Sequence, residues 1–161
     1  MQEVKLYDTT LRDGCQAEVI SFTVEDKVRI ARKLDELGVH YIEGGWPGSN
    51  PKDIKFFREI REISLKQARV VSFGSTARAG TLPEEDRNLK SLINSKTDVV
   101  TIFGKSWDIH VKYALRIKLS ENIKLISNTI KYLKKHFSFS FIISSIFLFI
   151  LYLLHQFNIS F

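Results

Sequence analysis

Two carboxylates, a guanidinium and an amide (Asp8, Arg12, Asp13 and Gln16) follow directly on the short apolar run at residues 4–7. Gathered at one strand tip, such groups are costly to desolvate unless they hold a cation or an anionic ligand. Asp13 offers oxygen ligands to a hard cation such as Mg²⁺ or Mn²⁺. Arg12 beside it suits a developing oxyanion, and Gln16 can hydrogen-bond a substrate carboxylate or carbonyl. Glu43 ends a second short strand, where it can orient a ligand or hold Arg12 through an ion pair. The plainer alternative is that a lone Asp or Glu at a strand end caps a helix or makes a surface ion pair.

The elements needed to position these groups are readable. Residues 4–7 form a first strand. Thr23 caps a helix carrying Glu25 and Asp26 in its first turn, with Val24, Val28, Ala31, Leu34 and Leu37 as its apolar stripe, ended by Gly38. Residues 40–43 are a second strand, and Asn50-Pro51 opens a helix buried through Ile54, Phe57 and Ile60. A third strand spans 69–73, followed by a helix opened by residues 83–86 and buried through Leu89, Leu92 and Ile93. A fourth strand spans 98–103, and 111–136 is helical with a bend where Ser120 caps a second piece, whose face is Ile123, Ile126, Ile130 and Leu133. Four βα units in about 135 residues predict parallel strands with right-handed crossovers. That is an α/β fold, the N-terminal half of a TIM (β/α)₈ barrel with its helices on one side, since a closed barrel needs about eight units.

In such a barrel the loops after the strands gather at one end. They bring Ser75 and Arg78, and then Lys105, Ser106, Asp108 and His110, toward Arg12, Asp13, Gln16 and Glu43. His110 can instead cap or pack at a helix start. Cys15 reads as a small buried residue rather than a nucleophile. The pair Gly44-Gly45 and Gly104 permit tight turns close to a ligand.

Composition divides the chain. Charges are dense up to Lys135 and then stop, and seven of the twelve Phe lie in 137–161. The net charge of +6 belongs to the first part, where Lys and Arg are interspersed with Asp and Glu as on a solvated surface. That pattern argues against nucleic acid and is compatible with an acidic, phosphorylated substrate such as a coenzyme A ester. A single Cys excludes an internal disulfide, and the charged start shows no signal peptide, so a cytoplasmic location is expected.

Thr9-Thr10-Leu11-Arg12-Asp13-Gly14 with Gln16 resembles the first-strand signature of the DRE-TIM metallolyase superfamily. Asp13-Gly-Cys-Gln-Ala-Glu18, the run from Tyr41 to Asp53 and that from Val100 to Val111 resemble its citramalate synthase branch, relatives of the 2-isopropylmalate synthases. The resemblance covers residues 3–136 as a pyruvate carboxyltransferase-like domain. It implies an acyltransferase that converts the acyl group to an alkyl group on transfer: enolised acetyl coenzyme A attacks pyruvate, and thioester hydrolysis gives citramalate for isoleucine synthesis. It implies a divalent metal, Mn²⁺ or Mg²⁺, with Asp13 as a metal ligand and Arg12 and Glu43 as catalytic groups. Gln16, Arg78, Ser106 and His110 are expected to bind substrate. The sequence departs from the family in having no His-x-His pair, its histidines being His40, His110, His136 and His155, and in having Val19 where the family usually has Gly. A truncated chain inactive by itself is therefore expected.

The tail, 137–161, is expected to be a single apolar helix over 137–154, free of charge, turn signal or alternation, that does not replace a fifth strand. It reads as an out-of-frame extension or as a transmembrane anchor behind Lys131, Lys134 and Lys135. A non-catalytic remnant and a membrane-tethered binding module are the alternative functions. The strand edges, at strands one and four, are expected to invite self-association.

Overall fold

The computed structural model describes residues 4–144. Its strands are β1 (Tyr7–Asp8), β2 (Tyr41–Gly45), β3 (Arg69–Ser75), β4 (Val99–Gly104) and β5 (Phe139–Ser144). Its α-helices are α1 (Val24–Glu36), α2 (Pro51–Ile60), α3 (Arg87–Asn94) and α4 (Leu119–Leu133). The strands form one sheet in chain order, every pair parallel, with a helix between successive strands. This is the arrangement of consecutive units of a β/α barrel.

Local sequence explains each helix start. Thr23 and Asp26 exchange the hydrogen bonds of a capping box at α1. Asn50 caps α2 with Pro51 at its first position, and Asp86 accepts from Leu89 N at 3.0 Å to start α3. Gly38, at φ 90°, turns the chain out of α1. The core lies between helices and sheet. Ala31, Ile42, Phe56, Phe57 and Ile60 form one cluster, and Leu89, Leu92, Val100, Ile102 and Leu133 form another.

Several expected positions move. β1 is two residues long, and Val4 and Leu6, which precede it, are exposed. Leu37 is exposed because it follows the last turn of α1, and Ile54 and Ile123 also face out. Phe56 takes the buried place on α2. The helix expected over 111–136 is two pieces: a π-helical turn at His110–Leu115, then α4. The break is at Arg116, in the left-handed region at φ 57°, and Ser120 lies inside α4 rather than capping it.

The largest correction concerns the tail. Residues 139–144, expected as part of an apolar helix, are β5, paired with β4 from Val99↔Phe139 to Gly104↔Ser144. The physical reason was in the sequence. Phe137-Ser-Phe-Ser-Phe141 alternates with a period of two, and aromatic and β-branched residues favour strands. β5 also covers the β4 edge, which was expected to be open. Among the described residues no helix is long and apolar enough to cross a membrane. The rest of the expected span, 145–154, lies outside the described residues.

Candidate active site

The first loop is folded by short polar contacts. Asp8 accepts from Thr10 N at 2.9 Å and from Thr10 Oγ1 at 3.0 Å. The Thr9 carbonyl then accepts from the amides of Arg12, Asp13 and Gly14 at 3.1, 2.8 and 3.3 Å. This winding turns Arg12 from the tip of β1 toward β2. There its Nε donates to Glu43 Oε1 at 2.5 Å and its Nη1 to Asp13 Oδ1 at 2.9 Å. The guanidinium carbon also sits 4.1 Å above the Phe73 ring, a cation–π contact that fixes its plane. Among the described residues, Nη2 makes no hydrogen bond or ion pair.

Glu43 has no solvent exposure. Burial pushes its carboxyl above the ordinary range, while the Arg12 charge and the hydrogen bonds from Tyr7 and Arg12 pull it back. The Tyr7 hydroxyl donates to Glu43 Oε2 at 2.5 Å and lies 2.6 Å from Thr101 Oγ1. Burial, followed by the charge of Glu43, drives the Tyr7 phenol far above its usual range and keeps it protonated. Its single proton is committed to Glu43, so Thr101 is the donor to Tyr7. One polar chain thus runs from Thr101 on β4, through Tyr7 on β1 and Glu43 on β2, to Arg12.

Neighbouring contacts hold the β2 loop. Lys27, almost fully buried, donates to Gly44 O at 2.8 Å and to Asp53 Oδ1 at 2.5 Å, while Asp53 Oδ2 accepts from Trp46 N at 2.8 Å. Trp46 Nε1 donates to Asn88 Oδ1 at 2.6 Å, and Asn88 Nδ2 donates to Ser75 O at 2.8 Å. The glycines here serve this packing rather than close approach to a ligand. A side chain at Gly44 would meet Phe56 and Phe57, and one at Gly45, which has φ 147°, would meet the Asp53 carboxylate.

The candidate residues separate into two groups. Arg12, Asp13 and Glu43 are in contact, and Gln16 joins Arg12 in a cavity of about 210 Å³ also lined by Cys15, Phe22 and Lys52. Cys15 is only partly buried. Its Sγ lies 3.1 Å from Leu11 O, and burial raises the thiol, so it is not an activated nucleophile. Arg78 and Ser106 are exposed. His110 stacks edge-on against Trp107, its Nδ1 buried without a hydrogen-bond partner. Among the described residues no hydrogen bond or ion pair links Arg78 or His110 to Arg12, Asp13 or Glu43. Ser75 and Lys105 also point elsewhere: Ser75 Oγ lies 3.1 Å from Thr76 O, and Lys105 lies over Phe103. Tyr7, Thr101, Phe73, Lys27 and Asp53 were not singled out in the sequence. Lys27 and Asp53 carried a usable signal, since each is a charge on the apolar stripe of its helix.

Residues 3–144 match the HMGL-like family. The chain belongs to that family. It is similar to the (R)-citramalate synthase of Geobacter sulfurreducens, with 64% identity over 134 residues, covering 83% of this chain and 25% of that protein. The (R)-citramalate synthase of Aquifex aeolicus is 53% identical, covering 84% of this chain and 26% of that protein. The 2-isopropylmalate synthase of Sulfurisphaera tokodaii, at 34% identity over 84% of this chain and 33% of that protein, is more distant. The chain therefore spans about a quarter of the length of the citramalate synthases it matches. In fold it resembles the hydroxymethylglutaryl-CoA lyase of Pseudomonas aeruginosa, with TM-score 0.63 and 18% identity over 87% of this chain and 46% of that one. The fold is thus that of the N-terminal part of a TIM barrel.

HMGL-like enzymes are generally divalent-metal dependent. The described residues do not suffice for such an ion. Asp13 offers one carboxylate, half exposed and already paired with Arg12. Among the described residues no three His, Cys, Asp or Glu side chains gather as a metal site.

Proposed function

We propose that residues 4–144 carry the first-strand portion of a citramalate synthase site, in which Arg12 receives the keto acid pyruvate. One observation carries this reading: the Arg12 guanidinium is clamped by buried Glu43, and among the described residues its Nη2 makes no hydrogen bond or ion pair. The 64% and 53% identities to citramalate synthases, against 34% to a 2-isopropylmalate synthase, support pyruvate over a bulkier keto acid.

The chemistry follows from that charge. In the condensation, the methyl carbon of acetyl coenzyme A loses a proton and bonds to C2 of pyruvate. The carbonyl electron pair moves onto the keto oxygen, which then takes up a proton, and water cleaves the thioester. Arg12 would hold the developing oxyanion, and one such preorganised donor is worth about 10²–10³ in rate. Glu43 orients Arg12 and offsets its charge while the site is empty. Gln16, beside Arg12 in the same cavity, would bind the pyruvate carboxylate or carbonyl.

We further propose that the chain does not turn over by itself, because among the described residues no metal site is gathered around the Asp13 carboxylate. The test is acetyl coenzyme A consumption with pyruvate and Mn²⁺, for the chain and for Asp13→Ala. No consumption above the protein-free rate is expected from either. Turnover by the chain that disappears in Asp13→Ala would overturn this proposal.

A further inference from the structure

Tyr7 occupies an unusual place for a residue in a two-residue strand. Its hydroxyl is seated between Glu43 Oε2, at 2.5 Å, and Thr101 Oγ1, at 2.6 Å, so it ties β1 to both β2 and β4. Its ring also stacks 6.2 Å from the Tyr41 ring, which restricts rotation of the phenol. Among the described residues the two Glu43 oxygens accept from two side chains, Arg12 Nε on Oε1 and the Tyr7 hydroxyl on Oε2. Asp13 and Arg12 are the other charged groups acting on it. Without the Tyr7 contact, one oxygen of a fully buried carboxylate would lack a partner, and the group would gain by rotating away from Arg12.

We propose that Tyr7 is a positioning residue whose hydroxyl, anchored by Thr101, holds the Glu43 carboxylate in the orientation that clamps Arg12. The direction of the Arg12 guanidinium then depends on a phenol that need not touch substrate. This rests on the reading above only for what Arg12 goes on to bind.

The test is the solvent-exchange rate of Arg12 Hε, read by NMR at neutral pH in the chain and in Tyr7→Phe. A hydrogen bond to a charged group is worth about 1.5–3 kcal/mol, so exchange should quicken roughly 10- to 100-fold. Thr101→Val, which removes only the anchor of the phenol, should quicken it in the same direction by less. It also serves if Tyr7→Phe does not fold. Backbone amide signals remote from the site should stay in place, separating loss of the clamp from general loosening. Exchange within twofold of the unaltered chain in a folded variant would overturn the assignment. If exchange quickens as expected but pyruvate leaves the Arg12 signals unmoved in every chain, the Tyr7 assignment stands and the functional reading fails.

Discussion

Val19 carries a β-branched side chain at φ 69°, fully exposed in the loop beyond the Arg12 turn. The left-handed region costs an L-residue about 1–2 kcal/mol, and no packing at an exposed site offsets it. Val19→Gly should therefore stabilise the chain by about 1 kcal/mol, less than the full strain because glycine gains freedom in the unfolded chain. Urea unfolding would check this, with a raised midpoint as the expected result. At this scale the sequence was informative where residue type alone suggests chemistry. Arg12, Asp13 and Glu43 were read as charges at strand tips, and Arg12 does pair with both carboxylates, although Glu43 lies in the middle of β2 rather than at its end. Tyr7 was not legible. A tyrosine at the end of an apolar run reads as core, and only the fold shows its hydroxyl reaching β4, 94 residues away in sequence.

The helices owe their placement to charges as much as to their apolar stripes. On α1, Lys27 and Asp35 sit on the same buried face as Val24 and Ala31, and on α2 Asp53 sits with Phe56, Phe57 and Ile60. Asp35 accepts from the amides of Lys66, Gln67 and Ala68 at 2.7, 2.9 and 2.7 Å and so fastens the chain entering β3. Lys27 and Asp53 join α1, α2 and the end of β2. Removing one member of a buried pair leaves the other charge uncompensated, at a cost of about 3–5 kcal/mol. Asp53→Ala should lose about that much stability in chemical unfolding. It should also free the Trp46 amide, which Asp53 holds. A loss within experimental error would show that Lys27 finds water or another partner. Period and capping made the helices legible, but they gave poor accounts of individual faces. Leu37, Ile54 and Ile123 matched helical spacing yet face out, because tertiary neighbours decide which residues of an apolar stripe are covered. The tail erred in the other direction. Its Phe-Ser alternation and the waiting edge of β4 together specify β5 over 139–144, while its lack of charge suggested a helix.

Across the whole molecule, the parallel order of the strands places every strand-end loop at one edge, which is why residues far apart in sequence can share a site. Strand order and parallel direction were legible from the alternation of strand and helix. Convergence was only partly so. The loop after β1 meets β2 through Arg12 and Glu43, whereas Arg78 and Ser106 are exposed and His110, at the start of the π-helical turn, packs on Trp107. A site assembled from the first loop and β2 should therefore bind through Arg12, with the later loops contributing less. The direct measurement is a pyruvate titration followed by NMR at the Arg12 guanidinium, in the chain and in Arg78→Ala. A saturable shift of the Arg12 signals is expected, and Arg78→Ala should leave the affinity within about twofold, since an exposed ion contact contributes less than 1 kcal/mol. Arg12 signals that remain unmoved up to saturating pyruvate, or binding lost in Arg78→Ala, would contradict it.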